Sequence, residues 1–275
     1  MPEPAPSDGP AAVVTHPAIG FRRAILRAPP DSAVNGLRAE DTGPPDIVRM
    51  RADHADYAAA LAAAGAAVSV LDPLEAFPDS LFVEDTALCL PEGAVLMRPG
   101  APSRMGEVAH IAPALAAIYP RLRRIEGPGH VEGGDILFTG REVLAGLSAR
   151  TDAAGLAELD AVLAGWGHAL RVVETPPGVL HFKTDCSLLD TETVLATRRL
   201  AATGCFAGYR VLSLPDDEAA AANTIRVNDV VIMPAGFPRT ADLLDAAGYE
   251  IRQISNAECA KLDGGMSCLS LRIPV

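Results

Sequence analysis

The chain has 275 residues, of which 49% are hydrophobic, and this length can bury the core of one large domain or two small ones. Its formal net charge of -12 argues against a nucleic-acid partner, because phosphate recognition needs a basic surface. The acidic balance would suit a small cationic ligand, although acidic residues in many proteins serve only solubility.

The five cysteines are an odd number and include no Cys-x-x-Cys pair, so neither a disulfide framework nor a zinc site is indicated. Nucleotide-binding signatures are absent as well, since no Gly-x-Gly-x-x-Gly opens a helix after a strand and no Gly-x-x-x-x-Gly-Lys-Ser/Thr motif occurs. We therefore expect no cofactor, no metal and a reducing, cytoplasmic location.

The amino-terminal residues 1–20 are predicted to form a disordered leader, because they are rich in Pro and Ala and lack the basic start and apolar stretch of a secretory signal. The longest Ala-rich apolar run, residues 58–71, is too short to span a bilayer, which needs about 20 apolar residues. No membrane partner is expected. No Pro/Gly/Ser-rich linker divides residues 21–275, so a single domain is predicted there.

From Arg22 onward, short β-rich runs alternate with helical patterns, which is typical of an α/β fold. Each run is bounded by turn residues. Strands are predicted at 24–27, 68–71, 86–90, 94–98, 135–138, 170–173, 187–189, 194–197, 211–214, 230–233, 251–254 and 269–273.

Four helices are predicted between these strands. The first covers residues 48–64, and the second is indicated by apolar residues at every third or fourth position from 105 to 118. The third begins after Thr151, a candidate N-cap, and stops at Gly167, and the fourth covers 240–247. The units recur at roughly 40–50 residues, which suggests an internal repeat.

Cys268 is the first candidate for chemistry, because it follows Gly264-Gly265 at the start of a predicted strand. The glycines allow the backbone to approach a ligand closely. A thiol reacts as its thiolate, which neighbouring positive charge favours. A single cysteine is nevertheless more often a buried structural residue, and the other four cysteines are interpreted in that way.

A cysteine nucleophile needs a nearby acid and base, for which His181 is the best of six histidines. His16, His54, His110 and His168 lie in the leader or on predicted helix surfaces, where a solvated role is the default. Alone, His181 would more often be a hydrogen-bonded core residue.

Carboxylates in apolar surroundings are the third signal. Glu132 precedes a diglycine and a strand, where it could orient a histidine or bind a cation. Asp79, Glu84 and Asp85 lie in the segment Pro78-Asp-Ser-Leu-Phe-Val-Glu-Asp, and their burial would be costly without a cation or a donor. Asp79 could equally be a turn residue, and Glu84 a surface charge.

Taken together, these segments resemble the dimethylarginine dimethylaminohydrolase family, of the guanidino-group-modifying superfamily with the pentein fold. The resemblance covers about residues 22–273. The motifs that carry it are Asp79-Ser-Leu-Phe-Val-Glu84-Asp85, Arg98-Pro-Gly-Ala-Pro-Ser-Arg104, Glu132-Gly-Gly-Asp-Ile-Leu-Phe-Thr-Gly-Arg141, Gly146-Leu-Ser-Ala-Arg150-Thr, His181-Phe-Lys and Asp263-Gly-Gly-Met-Ser-Cys268.

The resemblance implies a five-bladed α/β propeller of pseudo-symmetric repeats around a central active site, with residues 21–275 as the catalytic domain. It implies hydrolysis of asymmetric dimethylarginine or monomethylarginine to citrulline and an amine through a covalent intermediate on Cys268. His181 would protonate the departing amine and then activate water, and Glu132 would orient His181.

The resemblance also implies how a small cationic amino acid would be held. Asp85 would bind the guanidinium with support from Glu84, while Asp79 would bind the α-ammonium, and Arg104 and Arg150 the α-carboxylate. The remaining substrate-binding residues implied are Leu262, Asp263, Pro29 and Thr184.

At two of these positions the sequence departs from the family pattern, with Pro29 in place of Leu and Thr184 in place of Ser. Pro29 keeps a carbonyl but lacks an amide donor, which bears on loop closure and substrate preference. Two alternatives stay open: an arginine deiminase or another guanidine-hydrolysing pentein, and a non-catalytic binder of arginine derivatives. The oligomeric state also stays open, with a homodimer among the alternatives.

Overall fold

The computed structural model describes residues 16–274, which contain five three-stranded sheets and six α-helices. The strands are β1 Phe21–Arg27, β2 Ala67–Leu71, β3 Ala87–Leu90, β4 Gly93–Leu96, β5 Leu122–Arg124, β6 Ile136–Phe138, β7 Val143–Leu147, β8 Leu170–Glu174, β9 Cys186–Leu188, β10 Thr193–Ala196, β11 Arg210–Ser213, β12 Ile225–Val227, β13 Val230–Pro234, β14 Glu250–Ile254 and β15 Leu271–Pro274.

Five of the six α-helices connect strands within a sheet, α6 lies between two sheets, and several helices begin at side-chain caps. Asp46 accepts hydrogen bonds from two amides of the first turn of α1, and Asp152 caps α3 in the same way. Thr151, the predicted cap of α3, instead accepts a hydrogen bond from the Glu132 amide at 3.0 Å, so that prediction was wrong by one residue. The helices are α1 Ile47–Ala63, α2 Glu107–Ala116, α3 Ala153–Ala164, α4 Arg198–Ala201, α5 Pro238–Ala246 and α6 Ala257–Ala260.

All five sheets have the same topology. The middle strand is antiparallel to its sequence neighbour on one side and parallel to the strand on the other side, which it reaches through a helix. The fifth sheet pairs β15 at the carboxyl end with β1 and β2, so the two chain ends close the ring. This confirms the predicted repeat and the predicted five-bladed α/β architecture.

The twelve predicted strands all correspond to observed strands, but three observed strands were missed. β5 is arginine-rich and only partly buried, and β7 has the sequence Val-Leu-Ala-Gly-Leu, which is poor in β-branched residues. β12 has only three residues. In β5 and β7 the pairing with a neighbouring strand, rather than local propensity, stabilises the extended backbone, whereas β12 contains Ile225 and Val227 and was missed because it is so short.

The amino-terminal end of the described chain packs against the β6–β7–β8 and β9–β10–β11 sheets and the turn between β12 and β13. The predicted leader covers residues 1–20; residues 1–15 lie outside the described part, whereas 16–20 form a turn in which Ile19 is buried. The backbone N–H of Asn228 donates to the Ile19 carbonyl at 2.7 Å, and the side-chain oxygen of Asn228 accepts from the Phe21 backbone amide at 3.0 Å. Within residues 16–274, no helix has the length and apolar character needed to cross a bilayer.

Each of the five units has a short 3₁₀ turn immediately before or close to its first strand. Neighbouring turns contact one another and form a ring at the centre of the molecule. The turns are Val83–Thr86, Gly133–Asp135, Phe182–Thr184, Asp216–Ala222 and Ser267–Leu269. The chemistry-bearing residues of the sequence motifs lie in or next to these turns.

Candidate active site

Cys268 lies in the 3₁₀ turn before β15, rather than at the start of a strand, because β15 begins only at Leu271. Its thiol is 8% exposed and accepts a hydrogen bond from the Gly265 amide at 3.4 Å. A Cβ on Gly265 would lie 2.2 Å from the Asn223 side chain. The sequence predicted that the backbone of this glycine approaches a ligand, whereas the structure shows that it approaches Asn223.

His181 is held by Glu132 across two neighbouring units. Its Nε2 lies 2.6 Å from Oε2 of Glu132, whose side chain is fully buried. The other oxygen of Glu132 accepts the Gly100 amide at 2.8 Å. Glu132 contacts only Nε2 of His181, and the imidazole has a second nitrogen, Nδ1, that can also carry a proton. The predicted pairing of Glu132 with His181 is therefore present.

The charges around His181 favour its protonated form. Burial opposes protonation, but the carboxylates of Asp85 and Glu132 outweigh it and raise the pKa of His181 to about 9. Burial likewise raises the pKa of Glu132, yet the hydrogen bond and charge of His181 prevail and lower it to about 2. The pair is therefore an imidazolium and a carboxylate at neutral pH.

Asp85 lies beside this pair and is fixed by two donors. Its Oδ1 accepts the Gly134 amide at 3.0 Å and lies 3.9 Å from Nε2 of His181, and its Oδ2 lies 2.5 Å from the guanidinium of Arg104. A Cβ on Gly134 would come within 2.9 Å of both Asp85 and His181, so only glycine fits between them.

Arg104 is fully engaged by protein groups in this structure. Beyond Asp85, its guanidinium forms a bidentate pair with the buried Glu107 at 2.9–3.3 Å and donates to the carbonyl of Phe82 at 2.8 Å. Burial raises the pKa of Glu107 to about 7 in spite of the Arg104 charge. The binding of a substrate carboxylate by Arg104 stays a prediction. It requires that an N–H of the Arg104 guanidinium donate to the substrate as well as to its present protein acceptor.

Arg150 is the more available cation. Its guanidinium is 19% exposed, and its ion pair with Glu132 is long, at 3.6 Å. It lines the same pocket as Cys268 and His181. A planar guanidinium with spare donors is the group that a carboxylate prefers.

A segment of residues 37–39, here called the strap, is tied to both ends of the pocket. Asp79 accepts the Leu37 amide at 2.9 Å, and Asp263 accepts the Ala39 amide at 2.6 Å. Burial raises the pKa of Asp79, although the charge of Arg104 opposes this. Two of the predicted substrate-binding carboxylates thus hold the chain's own amides in this conformation.

Eight of the twelve predicted site residues line one pocket of about 30 Å³, and Leu37 of the strap lines it as well. The eight are Asp79, Asp85, Arg104, Arg150, His181, Leu262, Asp263 and Cys268. Glu132 lies behind His181. The remaining three, Glu84, Pro29 and Thr184, do not line this pocket.

Glu84 faces the opposite side of the ring of turns. Its two oxygens accept hydrogen bonds from Lys183 at 2.6 Å, Arg272 at 2.7 Å and the Ser267 hydroxyl at 2.6 Å. Because Ser267 is adjacent to Cys268, this buried network supports the turn that carries the thiol. Support of the guanidinium-binding network by Glu84 stays a prediction.

Pro29 and Thr184 also have supporting positions. The Pro29 carbonyl accepts two hydrogen bonds from Arg51 at 3.1 Å, and the Thr184 hydroxyl accepts the His181 amide at 3.3 Å. Direct contact of either residue with a substrate stays a prediction.

Sequence reasoning missed Asp135, which is fully buried and accepts hydrogen bonds from the Phe182 amide at 2.8 Å and the Ser148 hydroxyl at 2.7 Å. It therefore fixes the turn that follows His181. Its place directly after Gly133-Gly134 was an available signal. Glu107 and Lys183 were missed as well, since only their tertiary partners distinguish them from surface charges.

The surroundings of Cys268 favour the protonated thiol. Burial raises its pKa to about 12, the carboxylates of Glu84 and Asp85 act in the same direction, and the Gly265 amide and Lys183 oppose them. A bound cation in the pocket would reverse part of this effect.

The atoms of Asp85, Glu132 and His181 lie within 4.8 Å of one another, so these three residues could hold a metal ion. In the present arrangement Arg104 and the hydrogen bond from His181 to Glu132 already occupy them.

The sequence of the chain matches one family model and several named relatives. A family model described as arginine deiminase matches residues 46–231. The N(G),N(G)-dimethylarginine dimethylaminohydrolase of Pseudomonas aeruginosa is 40% identical over 253 residues, covering 92% of this chain and 99% of that protein. A Streptomyces coelicolor protein of the same name is 32% identical, with coverage of 92% and 97%.

Solved structures agree with the sequence matches. The P. aeruginosa enzyme, as a Cys-to-Ser mutant complexed with citrulline, superposes with a TM-score of 0.90 at 39% identity, covering 92% of this chain and 99% of that one. The N-terminal domain of a cyanobacterial arginine dihydrolase has a TM-score of 0.80 at 21% identity, with coverage of 91% and 97%, which shows a shared fold. The predicted pentein fold is confirmed.

Proposed function

Because the chain belongs to the dimethylarginine dimethylaminohydrolase family, in the pentein superfamily, we propose that it hydrolyses N-omega-methylated arginine to citrulline and a methylated amine. It is a hydrolase of carbon–nitrogen bonds in linear amidines. The observation that carries the proposal is the pocket that joins Cys268 to a His181 held by buried Glu132, with carboxylates and a guanidinium around them.

In the first step, the thiol of Cys268 releases its proton to solvent, and the resulting thiolate attacks the guanidinium carbon of the substrate. The substrate cation, placed beside Asp85, lowers the pKa of the thiol from its value of about 12, so that binding itself promotes the thiolate. The protonated His181 adds a second positive charge to the same pocket. The product of attack is a tetrahedral adduct with a new carbon–sulfur bond.

In the second step, the imidazolium of His181 gives its proton to the methylated nitrogen, the carbon–nitrogen bond breaks, and the amine departs. A planar thiouronium on Cys268 remains. His181, now neutral, removes a proton from water as the water attacks the same carbon. Collapse of this second adduct breaks the carbon–sulfur bond and releases citrulline.

The charges along the pocket match the charges of an amino acid with a cationic side chain. Arg150, with its long ion pair to Glu132, would bind the α-carboxylate, and Asp79 the α-ammonium. Asp85 would contact the guanidinium nitrogens. The citrulline complex of the P. aeruginosa enzyme supports an amino acid of this length in the same fold.

Substrate entry requires a change at the strap. A pocket of about 30 Å³ holds only a few water molecules, and Asp79 is engaged by the Leu37 amide. We propose that the strap moves outward to admit substrate and returns after binding, with Asp263 and Leu262 forming part of the closed wall.

The deciding experiment is a parallel measurement of citrulline release from asymmetric dimethylarginine, monomethylarginine and unmodified arginine. We expect release from the methylated substrates and none from a Cys268→Ser variant, because a serine hydroxyl lacks the nucleophilicity of the thiolate. Cys205→Ser is the matched control, since this buried cysteine lines neither this pocket nor the other cavity of the ring. Equal activity of wild type and Cys268→Ser would exclude the proposed nucleophile.

A second candidate function is favoured by the family model, which bears the description arginine deiminase. The same assay separates the two, because release from arginine alone would assign the protein to that activity. A silent binder would release citrulline from no substrate and would resist covalent inactivation by 2-chloroacetamidine, which mimics a guanidinium.

The proposal also includes a cytoplasmic location and a small cationic amino acid as the only partner required for activity. All five cysteines are free, which suits an enzyme with a reactive thiol in a reducing compartment. A homodimer stays a prediction.

A further inference from the structure

A second cavity lies on the other side of the ring of turns from the active-site pocket. Its volume is about 110 Å³, and its lining shares no residue with that pocket. Three of the turns, with the residues next to them, supply side chains to both cavities. Glu84, Lys183 and Ser267 line the second cavity, whereas Asp85, His181 and Cys268 line the active-site pocket. We call it the rear cavity and define it by Glu84, Lys183, Thr224 and Arg272.

The rear cavity carries an excess of positive charge. Among its described lining residues, Glu84 is the one carboxylate, whereas Lys183, Arg226 and Arg272 are cationic. Arg226 is partly offset by Asp229 at 3.8 Å, and its guanidinium donates to the Asn228 carbonyl. Lys183 and Arg272 share a single oxygen of Glu84, so this buried cluster keeps a net charge of about +1.

The ammonium of Lys183 has unused hydrogen-bonding capacity. It can donate three hydrogen bonds, and Glu84 is its one partner among residues 16–274, at 2.6 Å. Its side chain is only 10% exposed, so bulk water cannot satisfy it freely. Arg272, in contrast, has four acceptors in Ser267, Ser270 and Glu84.

A further donor reaches the same space. The hydroxyls of Ser187 and Thr224, both of which line the cavity, form one hydrogen bond at 2.8 Å. One of them donates in that bond, so the proton of the other is free to point toward a third group. The cavity thus offers a desolvated ammonium and a hydroxyl, and needs an acceptor.

We propose that the rear cavity is a binding site for a small monovalent anion of halide size, held by Lys183 and by the Ser187–Thr224 hydroxyl pair. An anion would neutralise the excess charge and accept the spare donors. Apolar walls, which include Leu88, Ile136 and Leu188, favour a weakly hydrated ion such as bromide over phosphate, because desolvation of a divalent anion costs more.

The site is coupled to the nucleophile by a short path. Glu84 binds both Lys183 and the Ser267 hydroxyl, and Ser267 precedes Cys268. An anion beside Lys183 would cancel part of the positive potential that favours the Cys268 thiolate. We therefore expect bromide to inhibit the enzyme, a consequence that rests on the proposed function. Gluconate at the same ionic strength should not inhibit, because this six-carbon anion is too large for the site.

The binding test does not depend on activity. Crystals of the wild-type protein soaked in sodium bromide should show an anomalous peak within hydrogen-bond distance of Nζ of Lys183. In solution, bound chloride broadens the chloride NMR signal, and this excess broadening should be smaller for Lys183→Met than for the wild type. The affinity should fall about tenfold or more, because the variant loses one charge-assisted hydrogen bond.

The chain provides a close control, since Lys261 is its other lysine and pairs with Glu258 at 2.7 Å outside the cavity. Lys261→Met should bind chloride as the wild type does. If Lys183→Met fails to fold, the double variant Ser187→Ala with Thr224→Val keeps every charge and should bind chloride several-fold more weakly. No anomalous peak beside Lys183, or equal broadening in all variants, would overturn the site, whatever the enzyme assay shows.

Discussion

The carboxylate of Glu132 lies 2.6 Å from Nε2 of His181, although the two residues belong to different units of the propeller and are 49 positions apart. The contact exists because each unit turns toward the central ring just before its first strand. Glu132 lies directly before one turn and His181 directly before the next. Two separate loops therefore form the pair in which Glu132 raises the pKa of His181.

Glu132→Gln should reduce kcat by about 100-fold or more, because misorienting a general acid and base removes most of its contribution. The pH profile separates this from a structural defect. The pKa of His181 is raised to about 9, so donation of its proton fails as pH rises through that value. Without the Glu132 charge this pKa falls, and the alkaline limb of kcat should move to lower pH. An unmoved limb would mean that Glu132 does not set the His181 pKa.

Arg150→Gln should raise KM by about 10- to 100-fold with little change in kcat, since a lost charged hydrogen bond to the substrate carboxylate weakens ground state and transition state alike. Steady-state kinetics with asymmetric dimethylarginine measure this. Arg141→Gln is the control, because Arg141 is exposed and pairs with Glu192 at the surface. A fall in kcat with KM unchanged would place Arg150 in the chemistry rather than in binding.

Gly134→Ala should lower the free energy of unfolding by about 1–3 kcal/mol, as overpacking does in a dense interior. The new methyl group would lie 2.8 Å from Asp85 and 2.9 Å from His181, and both are held by buried partners. Urea denaturation gives the measurement. Gly165→Ala, at the end of α3 with its nearest neighbour at 3.3 Å, should change stability less. Equal effects of the two substitutions would contradict the packing argument.

Asp263→Ala should release one end of the strap, because it removes the acceptor of the Ala39 amide. Amide hydrogen exchange at residues 37–39 should become faster than in the wild type. Glu40→Ala, an exposed carboxylate next to the strap, is the matched control. Unchanged exchange at Ala39 in Asp263→Ala would show that other contacts hold the strap.

The sequence by itself determined the α/β class and the repeat, and its motifs, through their resemblance to a family, pointed to Cys268, His181 and Glu132 as candidate catalytic residues. The signals for the fold are local: apolar periodicity marks helices, and turn residues bound the strands. The same local signals missed β5, β7 and β12, because strands of three to five residues, two of them poor in β-branched residues, are stabilised by pairing with neighbours.

Only the tertiary structure decided which charges face the reaction and which support it. Glu84 and Asp85 are adjacent in the chain, yet the turn directs Asp85 to the pocket of Cys268 and Glu84 to the rear cavity. Lys183 and His181 divide in the same way. No sequence pattern separates such pairs, because their burial and their partners depend on residues from other units of the ring.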